Sequence, residues 1–245
     1  MDNTFSEKLR SALEPLKIGL TEQQVETFYR FYEDLVEKNK VMNLTAITEM
    51  QDVITKHYAD SLSLVRAIPD LGKKKLRVLD LGTGAGFPGM PLAIAFPGLE
   101  FVLADSLNKR ILFIEEECQK LNIRNVKAVH GRAEDLAKNP DYRENFDLCV
   151  SRAVANLSTL SEYCIPFVKA GGYFVPYKSG EIAEETENAA TALKLLGGKL
   201  EEAIRFSLPN QEGERSLLKI KKTGTTPKIF PRKAGLPSKE PLSAR

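Results

Sequence analysis

The segment Val78-Leu79-Asp80-Leu81-Gly82-Thr83-Gly84-Ala85-Gly86-Phe87-Pro88-Gly89 constrains this chain more than any other. Apolar β-formers run up to an acid, and three alternating glycines follow. Glycine accepts the backbone angles of a tight turn and lets a ligand approach the main chain closely. Met90–Ala95 then reads as helical. A strand that turns directly into a helix presents the helix's first N–H groups to whatever sits at the turn. Such a unit needs a sheet around it.

The sequence from Lys75 onward supplies one. Leu76–Leu81, Glu100–Ala104, Val126–His130, Phe146–Val150 and Gly172–Tyr177 are short apolar runs that read as buried strands. Met90–Ala95, Lys109–Leu121 and Leu157–Val168 read as the helices between them. This alternation predicts an α/β fold, a mostly parallel sheet with helices on both faces. Lys199–Ser207 and Ser216–Lys222 read as two further strands flanking a turn at Pro209–Gly213, a hairpin at one end of the sheet. Residues 1–72 read instead as a helical extension. Phe5, Leu9 and Leu13 recur every four residues, Thr21 and Gln24 have capping-box spacing, and Val25, Phe28, Tyr32 and Leu35 form an apolar stripe. A third segment places Ile54, Tyr58, Ser61, Val65 and Ile68 on one face, and Pro69 with Leu71-Gly72 ends it. The division expected is a helical cap over 1–72, a sheet domain over 73–222 and a basic tail over 223–245. No internal repeat is evident.

At 245 residues with 42% hydrophobic side chains, the chain can bury a full core without disulfide or metal staples. No apolar run approaches the roughly 18 residues of a membrane span. Met1-Asp2-Asn3-Thr4-Phe5-Ser6 lacks the basic and apolar regions of a secretory leader. Cys118, Cys149 and Cys164 are odd in number and far apart, which argues against a disulfide framework. A cytoplasmic protein is expected. With only His57 and His130, no metal site is expected. Charge is uneven. Arg215–Arg245 carries nine Lys/Arg and one acid, a net +8, and leaves −6 on the remainder. A basic tail on an acidic body suits a polyanionic partner, or equally a solvated C-terminus.

Two cofactors compete for the glycine loop. Gly84-x-Gly86-x-x-Gly89, with Asp105 falling 21 positions after Gly84, matches the dinucleotide fingerprint. Asp80, Gly82, Gly84 and Gly86 instead match the acid-x-Gly-x-Gly-x-Gly loop that binds S-adenosylmethionine (AdoMet), with Asp105 on the ribose. The second reading is favoured. The dinucleotide motif has no use for Asp80, whereas AdoMet carries an ammonium that an acid can attract. Pro88 and Pro91 also fit poorly in a helix that starts at Gly84.

Three more clusters stand out. Arg132-Ala133-Glu134-Asp135 follows the third strand, beside the ligand crevice of such a sheet. There the Ala133 N–H and the Glu134 carboxylate can read an adenine edge, or the acids can cap the next helix. Ser151-Arg152-Ala153-Val154 follows the fourth strand, where substrate-facing residues are usual. His57, Asp60 and Ser61 share a helical face, an arrangement for acid–base chemistry or, more often, for structure.

These motifs, with Asn43-Leu44-Thr45, Asp105-Ser106 and the closing Pro231-Arg232-Lys233-x-Gly235-x-Pro237-x-Lys239-x-Pro241-Leu242, closely resemble the bacterial small-subunit ribosomal RNA methyltransferase G family, also called glucose-inhibited division protein B. The resemblance spans nearly the whole chain. Tyr177-Lys178-Ser179-Gly180 departs from it, with Ser179 where glycine is expected directly after the lysine. The resemblance implies a Rossmann-like AdoMet-dependent methyltransferase fold with a seven-stranded sheet. It implies methylation of N7 of a specific guanine in the decoding-region loop of 16S ribosomal RNA, with that RNA or the small subunit as partner. It places Gly82, Phe87, Ala133, Glu134 and Arg152 around AdoMet, and Asp105 and Ser106 on its ribose.

N7 of guanine carries an available lone pair, so positioning alone can serve and no general base is required. No catalytic residue is assigned on this reading; Arg152, Asn43 and His57 are positioning candidates. Signatures for other acceptors are missing. Cys149 and Cys164 read as core rather than as nucleophiles, and no Asn/Asp-Pro-Pro-aromatic motif follows the fourth strand. Lys109, Arg110, Arg132, Lys219, Lys221, Lys222, Arg232 and Lys233 are the expected phosphate contacts, with Phe87 or a tyrosine stacking on the base. The alternatives are a non-catalytic RNA-binding assembly factor and a methyltransferase for another acceptor.

Overall fold

The computed structural model describes residues 3–152, 155–209 and 213–242. Part of the expected turn at 209–213, the 153–154 part of the loop after the fourth strand, and both extreme termini lie outside the described residues. Seven strands form one sheet: β1 (Arg77–Leu81), β2 (Glu100–Asp105), β3 (Val126–His130), β4 (Phe146–Ser151), β5 (Val168–Ser179), β6 (Gly198–Ser207) and β7 (Glu214–Lys222). Their order is β3-β2-β1-β4-β5-β7-β6. The pairings among β1 to β5 are parallel, and β7 runs antiparallel to both β5 and β6. The order reverses between β1 and β4, so the crevice at the carboxyl ends of those two strands is where an open α/β sheet takes its ligand. Ser151 Oγ donates to the Leu81 carbonyl at 2.7 Å and ties the two strand ends together.

The helical extension is not a separate globule. Phe5, Leu9, Val25, Phe28, Phe31, Leu35 and Tyr58 lie in one continuous apolar core with Val78, Leu103, Phe113 and Val150. Thr21 and Gln24 form the expected capping box at the start of Glu22–Met42. The Gln24 amide also donates to the carbonyls of Ile94 and Ala95, at 2.9 and 3.1 Å. Those carbonyls close the Gly89–Ala95 helix and have no partner within it. One side chain thus caps one helix and docks it on the next.

The third N-terminal segment is one helical run with a changing pitch. It starts as α-helix at Met50–Asp52, widens to a π-helix over Val53–Ala59 and closes through Asp60–Leu62 and a 3-10 turn at Ser63–Arg66. A π-turn commonly marks a functional position, and this one carries His57. Two expected boundaries move. The helix from Leu157 stops at Cys164, because Pro166 offers no N–H to continue it, and a 3-10 turn at Ile165–Phe167 leads directly into a longer β5. Two short helices absent from the sequence reading, Ala183–Asn188 and Ala190–Leu196, connect β5 to β6. Among the described residues no helix is long and apolar enough to cross a membrane.

Candidate active site

Two cavities open at the carboxyl edge of the sheet and share Ala155 on their walls. The first, about 390 Å³, lies over β1 and β2 and is lined by Gly82, Asp105, Ser106, Arg132, Ala133, Glu134 and Ser151. Six of the expected cofactor contacts fall here or on its rim: Gly82, Asp105, Ser106, Ala133 and Glu134 on the wall, and Gly84 through a hydrogen bond to Asp105. The Asp105 carboxylate accepts from Gly84 N at 3.0 Å and Leu107 N at 2.9 Å, and pairs with Arg110 at 3.2 Å. It is oriented by the glycine loop on one side and by the next helix on the other.

The loop owes its shape to Asp80. This fully buried carboxylate accepts from Thr83 Oγ1 at 2.6 Å and Gly89 N at 2.8 Å through one oxygen; the other oxygen has no partner. Burial pushes its pKa up to about 6, against the two hydrogen bonds that favour the charge. Asp80 is not on the cavity wall; the bonds it makes brace the loop from below. Gly82, Gly84 and Gly86 all have positive φ. At Gly89 a Cβ would fall 2.7 Å from Leu103 and 2.8 Å from the Asp80 oxygen, so the loop cannot close there around any larger residue.

The same hydrogen bonds bear on the two cofactor readings. Gly89 N is taken by Asp80, Met90 N by the Gly86 carbonyl at 2.7 Å, and Pro91 has no N–H. The helix start that would cradle a pyrophosphate therefore has its donors spent, and a carboxylate already sits against it. The cavity beyond offers the carboxylates of Asp105 and Glu134, which suit the hydroxyl and amino donors of an adenosine.

The second cavity, about 560 Å³, lies between the helical cap and the ends of β4 and β5. Lys56, His57, Asp60, Arg152, Tyr177, Lys178, Glu185 and Arg215 line it. Arg152, expected on the cofactor, faces this side instead. Its guanidinium donates to Asp60 Oδ2 at 2.8 Å, to the Lys56 carbonyl at 3.0 Å and to His57 Nδ1 at 3.2 Å. A guanidinium can only donate, so Nδ1 is the accepting nitrogen and Nε2 carries the proton. Nε2 then donates to Thr45 Oγ1 at 2.9 Å. Burial and the Arg152 charge push the His57 pKa down to about 3. The imidazole is neutral, with both nitrogens committed, and it cannot serve as a general base. It stacks on Phe87 with centroids 4.3 Å apart, and Arg152 lies 5.3 Å from the same ring. Phe87 is thus buried under this pair, on neither cavity wall. The expected contacts of Phe87, with the cofactor and as a stacking partner for the base, are not made from either wall in this structure.

Asn43 ends the Glu22–Met42 helix in a left-handed conformation and lies outside both cavities. Among the basic residues expected on RNA, the strand register sorts near from far. Ser179 pairs with Arg215 at the cavity end, whereas Tyr173 pairs with Lys221. Six residues at about 3.3 Å each place Lys221 roughly 20 Å away along β5, with Lys219 and Lys222 beside it. Lys222 is also buried, its ammonium bonded to the Ile165 carbonyl at 3.1 Å and paired with Glu144 at 3.1 Å. It is withdrawn as a phosphate contact. Arg232 is committed to the fully buried Glu162. Lys109 is exposed near the cap, with its ammonium 3.2 Å from the Met42 carbonyl, and Lys233 is exposed on the tail. Sequence reasoning missed Arg215 and Glu185 as lining residues. Only the β5–β7 register brings Arg215 to the site.

Among the described residues no group of three or more His, Cys, Asp or Glu side chains is placed to hold a metal. Cys149 and Cys164 are buried in the sheet and its covering helix, and burial raises the Cys149 thiol well above its ordinary value. Neither cavity wall carries a cysteine.

A reversed strand inserted beside β5, a carboxylate-lined cavity at the β1/β4 reversal and an adjoining cationic cavity define a Rossmann-like methyltransferase. Solved structures share the fold: NSun6 from Pyrococcus horikoshii with SFG (TM-score 0.52, 17% identity, 67% of this chain and 52% of that one) and ribosomal protein L11 methylase from Lactobacillus delbrueckii subsp. bulgaricus (TM-score 0.50, 20% identity, 67% and 79%). The family model for rRNA small subunit methyltransferase G matches residues 24–215. Ribosomal RNA small subunit methyltransferase G of Lachnoclostridium phytofermentans is 52% identical over 98% of this chain and 97% of its own length. The protein of the same name from Alkaliphilus oremlandii is 48% identical over 96% and 97%. The chain belongs to the rRNA small subunit methyltransferase G family.

Proposed function

We propose that this methyltransferase transfers the methyl group of AdoMet to N7 of a guanine in 16S ribosomal RNA. AdoMet would occupy the first cavity, with the Asp105 carboxylate and Ser106 at the ribose, Glu134 and the Ala133 N–H at the adenine, and the Gly82 backbone beside the amino-acid portion. The group supplies an electrophilic methyl on a sulfonium. The acceptor base would enter the second cavity, and the two meet at Ala155. Four cations line the second cavity, Lys56, Arg152, Lys178 and Arg215, against two acids, Asp60 and Glu185. That excess suits a phosphate-bearing acceptor over a neutral small molecule.

The observation that carries the N7 reading is the state of His57. It is the one imidazole on either wall, it is neutral, and both its nitrogens are occupied. An acceptor that must lose its proton before attack, such as a ribose hydroxyl, finds no free imidazole here, and the other candidate bases are held in ion pairs, Asp60 with Arg152 and Glu185 with Lys178. An acceptor with a ready lone pair needs none. The chain's own contribution is then to hold the base in line with the methyl–sulfur bond and to exclude water, effects that together reach several powers of ten.

The test is transfer of labelled methyl from AdoMet to small subunits from cells lacking this gene. Label in 16S RNA supports the reading. No label, from protein that demonstrably binds AdoMet, favours a non-catalytic RNA-binding role or another acceptor.

A further inference from the structure

The C-terminal segment carries much of the basic charge of the chain, which suggests an arm held out toward RNA. The structure gives it other contacts. Phe230 and Pro231 are buried, and Phe230 lies in the core cluster on the β4–β5 side of the sheet. Arg143 donates to the carbonyls of Phe230 at 3.0 Å and Thr226 at 2.9 Å. Arg232 then meets Glu162, which is 0% exposed. Nε and Nη2 bind its two oxygens at 2.9 and 2.6 Å, and the Arg232 backbone N–H adds a third bond at 2.8 Å. A buried carboxylate satisfied this fully is an anchor.

Beyond the anchor the segment reaches the first cavity. Thr159 Oγ1 donates to the Pro237 carbonyl at 2.8 Å, and Ser238 Oγ lies 2.9 Å from the Tyr163 hydroxyl. Gly235 and Ser238 line the cavity, together with Tyr163, while Asp105 and Glu134 line it from the sheet. The decisive contact joins the two sets: Gly235 N donates to Glu134 Oε1 at 3.1 Å. Gly235 has φ +81°, a conformation that favours glycine, so the residue type itself serves this contact. One Glu134 oxygen is thus held by the tail while the carboxylate lies on the cavity wall.

We propose that the C-terminal segment from Arg232 to Ser238 is a wall of the cofactor site, in which the Gly235 N–H orients the Glu134 carboxylate toward the adenine amino group of AdoMet. The proposal rests on the reading of the first cavity as the AdoMet site. It makes Gly235 and Ser238 cofactor-site residues and Arg232 a positioning residue that acts through them.

The test measures AdoMet binding by calorimetry on the full-length protein and four variants. Ser238→Trp fills the cavity from an exposed position, and its dissociation constant rises at least about tenfold, the effect of losing one good polar contact or a comparable volume. Lys239→Trp adds the same bulk one residue away, outside the lining, and stays within about twofold. Arg232→Met weakens binding about tenfold, and Arg232→Lys recovers part of it. Circular dichroism confirms that each variant is folded. If Ser238→Trp binds AdoMet as the wild type does, the wall is overturned. The same holds if Arg232→Met changes only the KM for RNA, the pattern of a free RNA arm. A folded wild type that fails to bind AdoMet overturns the reading of the cavity itself, and the wall with it.

Discussion

Arg152 donates to His57 Nδ1 at 3.2 Å, and that contact fixes the imidazole as a neutral donor toward Thr45. It follows that His57 lines the second cavity as a neutral group. His57→Phe keeps the stack on Phe87 and loses two hydrogen bonds, so single-turnover methyl transfer should slow by about one to two powers of ten. The pH–rate profile should keep its form. Loss of a true general base would reshape that profile as well as lower the rate.

The same histidine makes stability depend on acid. Its folded pKa of about 3 lies below the ordinary imidazole value of 6.5, so the unfolded chain binds the proton more readily between those values. Its contribution is present above pH 6.5 and is lost as pH falls toward 3. Urea titrations across that window should show wild-type stability falling more steeply than that of His57→Phe.

Glu117 works in the opposite direction. It is 1% exposed, and burial with the Asp34 charge pushes it up to about 8 despite Lys120. A carboxyl raised above its unfolded value loses stability as pH rises through that window. Glu117→Gln should therefore melt above the wild type at pH 8, by about 2–4 °C per kcal/mol recovered, and show a smaller gain at pH 5. Differential scanning calorimetry at the two values checks this.

The glycine loop separates two kinds of glycine. Gly84 has φ +61° and open space around it, so Gly84→Ala should cost only the backbone strain, about 1–2 kcal/mol. Gly89→Ala forces Leu103 or Asp80 aside, about 1–3 kcal/mol of overpacking, and disturbs the Asp80 brace. Gly89→Ala should therefore weaken AdoMet binding the more. Denaturant unfolding paired with AdoMet titration separates the two effects.

Basic residues divide by register. Arg215, at the cavity end of β7 and only 3.8 Å from Asp60, is placed to exchange that loose pair for a phosphate. Arg215→Ala should lower the salt dependence of RNA binding by about one unit of slope. Lys222→Met should leave the slope alone and destabilise the fold by about 3 kcal/mol, because it strips a buried partner from Glu144. Filter binding across salt concentrations, with melting curves, distinguishes them.

Particular residues show what was legible in the sequence. Short apolar runs mark β1, β2, β4 and β5, because a buried parallel strand leaves a contiguous apolar signature, whereas β3 is half exposed and β6 and β7 form an antiparallel pair read from their spacing around a turn. The glycine loop was legible because the backbone takes positive φ at Gly82, Gly84 and Gly86, and Asp105 and Glu134 were legible as lining residues of the first cavity because each closely follows or ends a strand there. Lys222 and Arg232 were misread because their partners, Glu144 and Glu162, are 78 and 70 positions away and charge count carries no register. Phe87 was misplaced for a related reason: its place beside His57 depends on how the cap packs. The Ala183–Leu196 helices passed unread, although Ala189, Ala192, Leu193 and Leu196 carry a helical period, because that stripe is short and half alanine. The π-turn at His57 leaves no mark, since one extra residue per turn does not alter an apolar pattern over so short a run.

The central claim is methylation at guanine N7 by positioning alone. Borohydride reduction and aniline treatment cut RNA at N7-methylguanine. Small subunits from cells lacking this gene would be incubated with purified protein and methyl-labelled AdoMet, and their 16S RNA treated in this way. The account predicts one new cleavage, in the decoding-region loop, at the labelled nucleotide. Labelled RNA that resists cleavage would contradict it and place the methyl group on another atom.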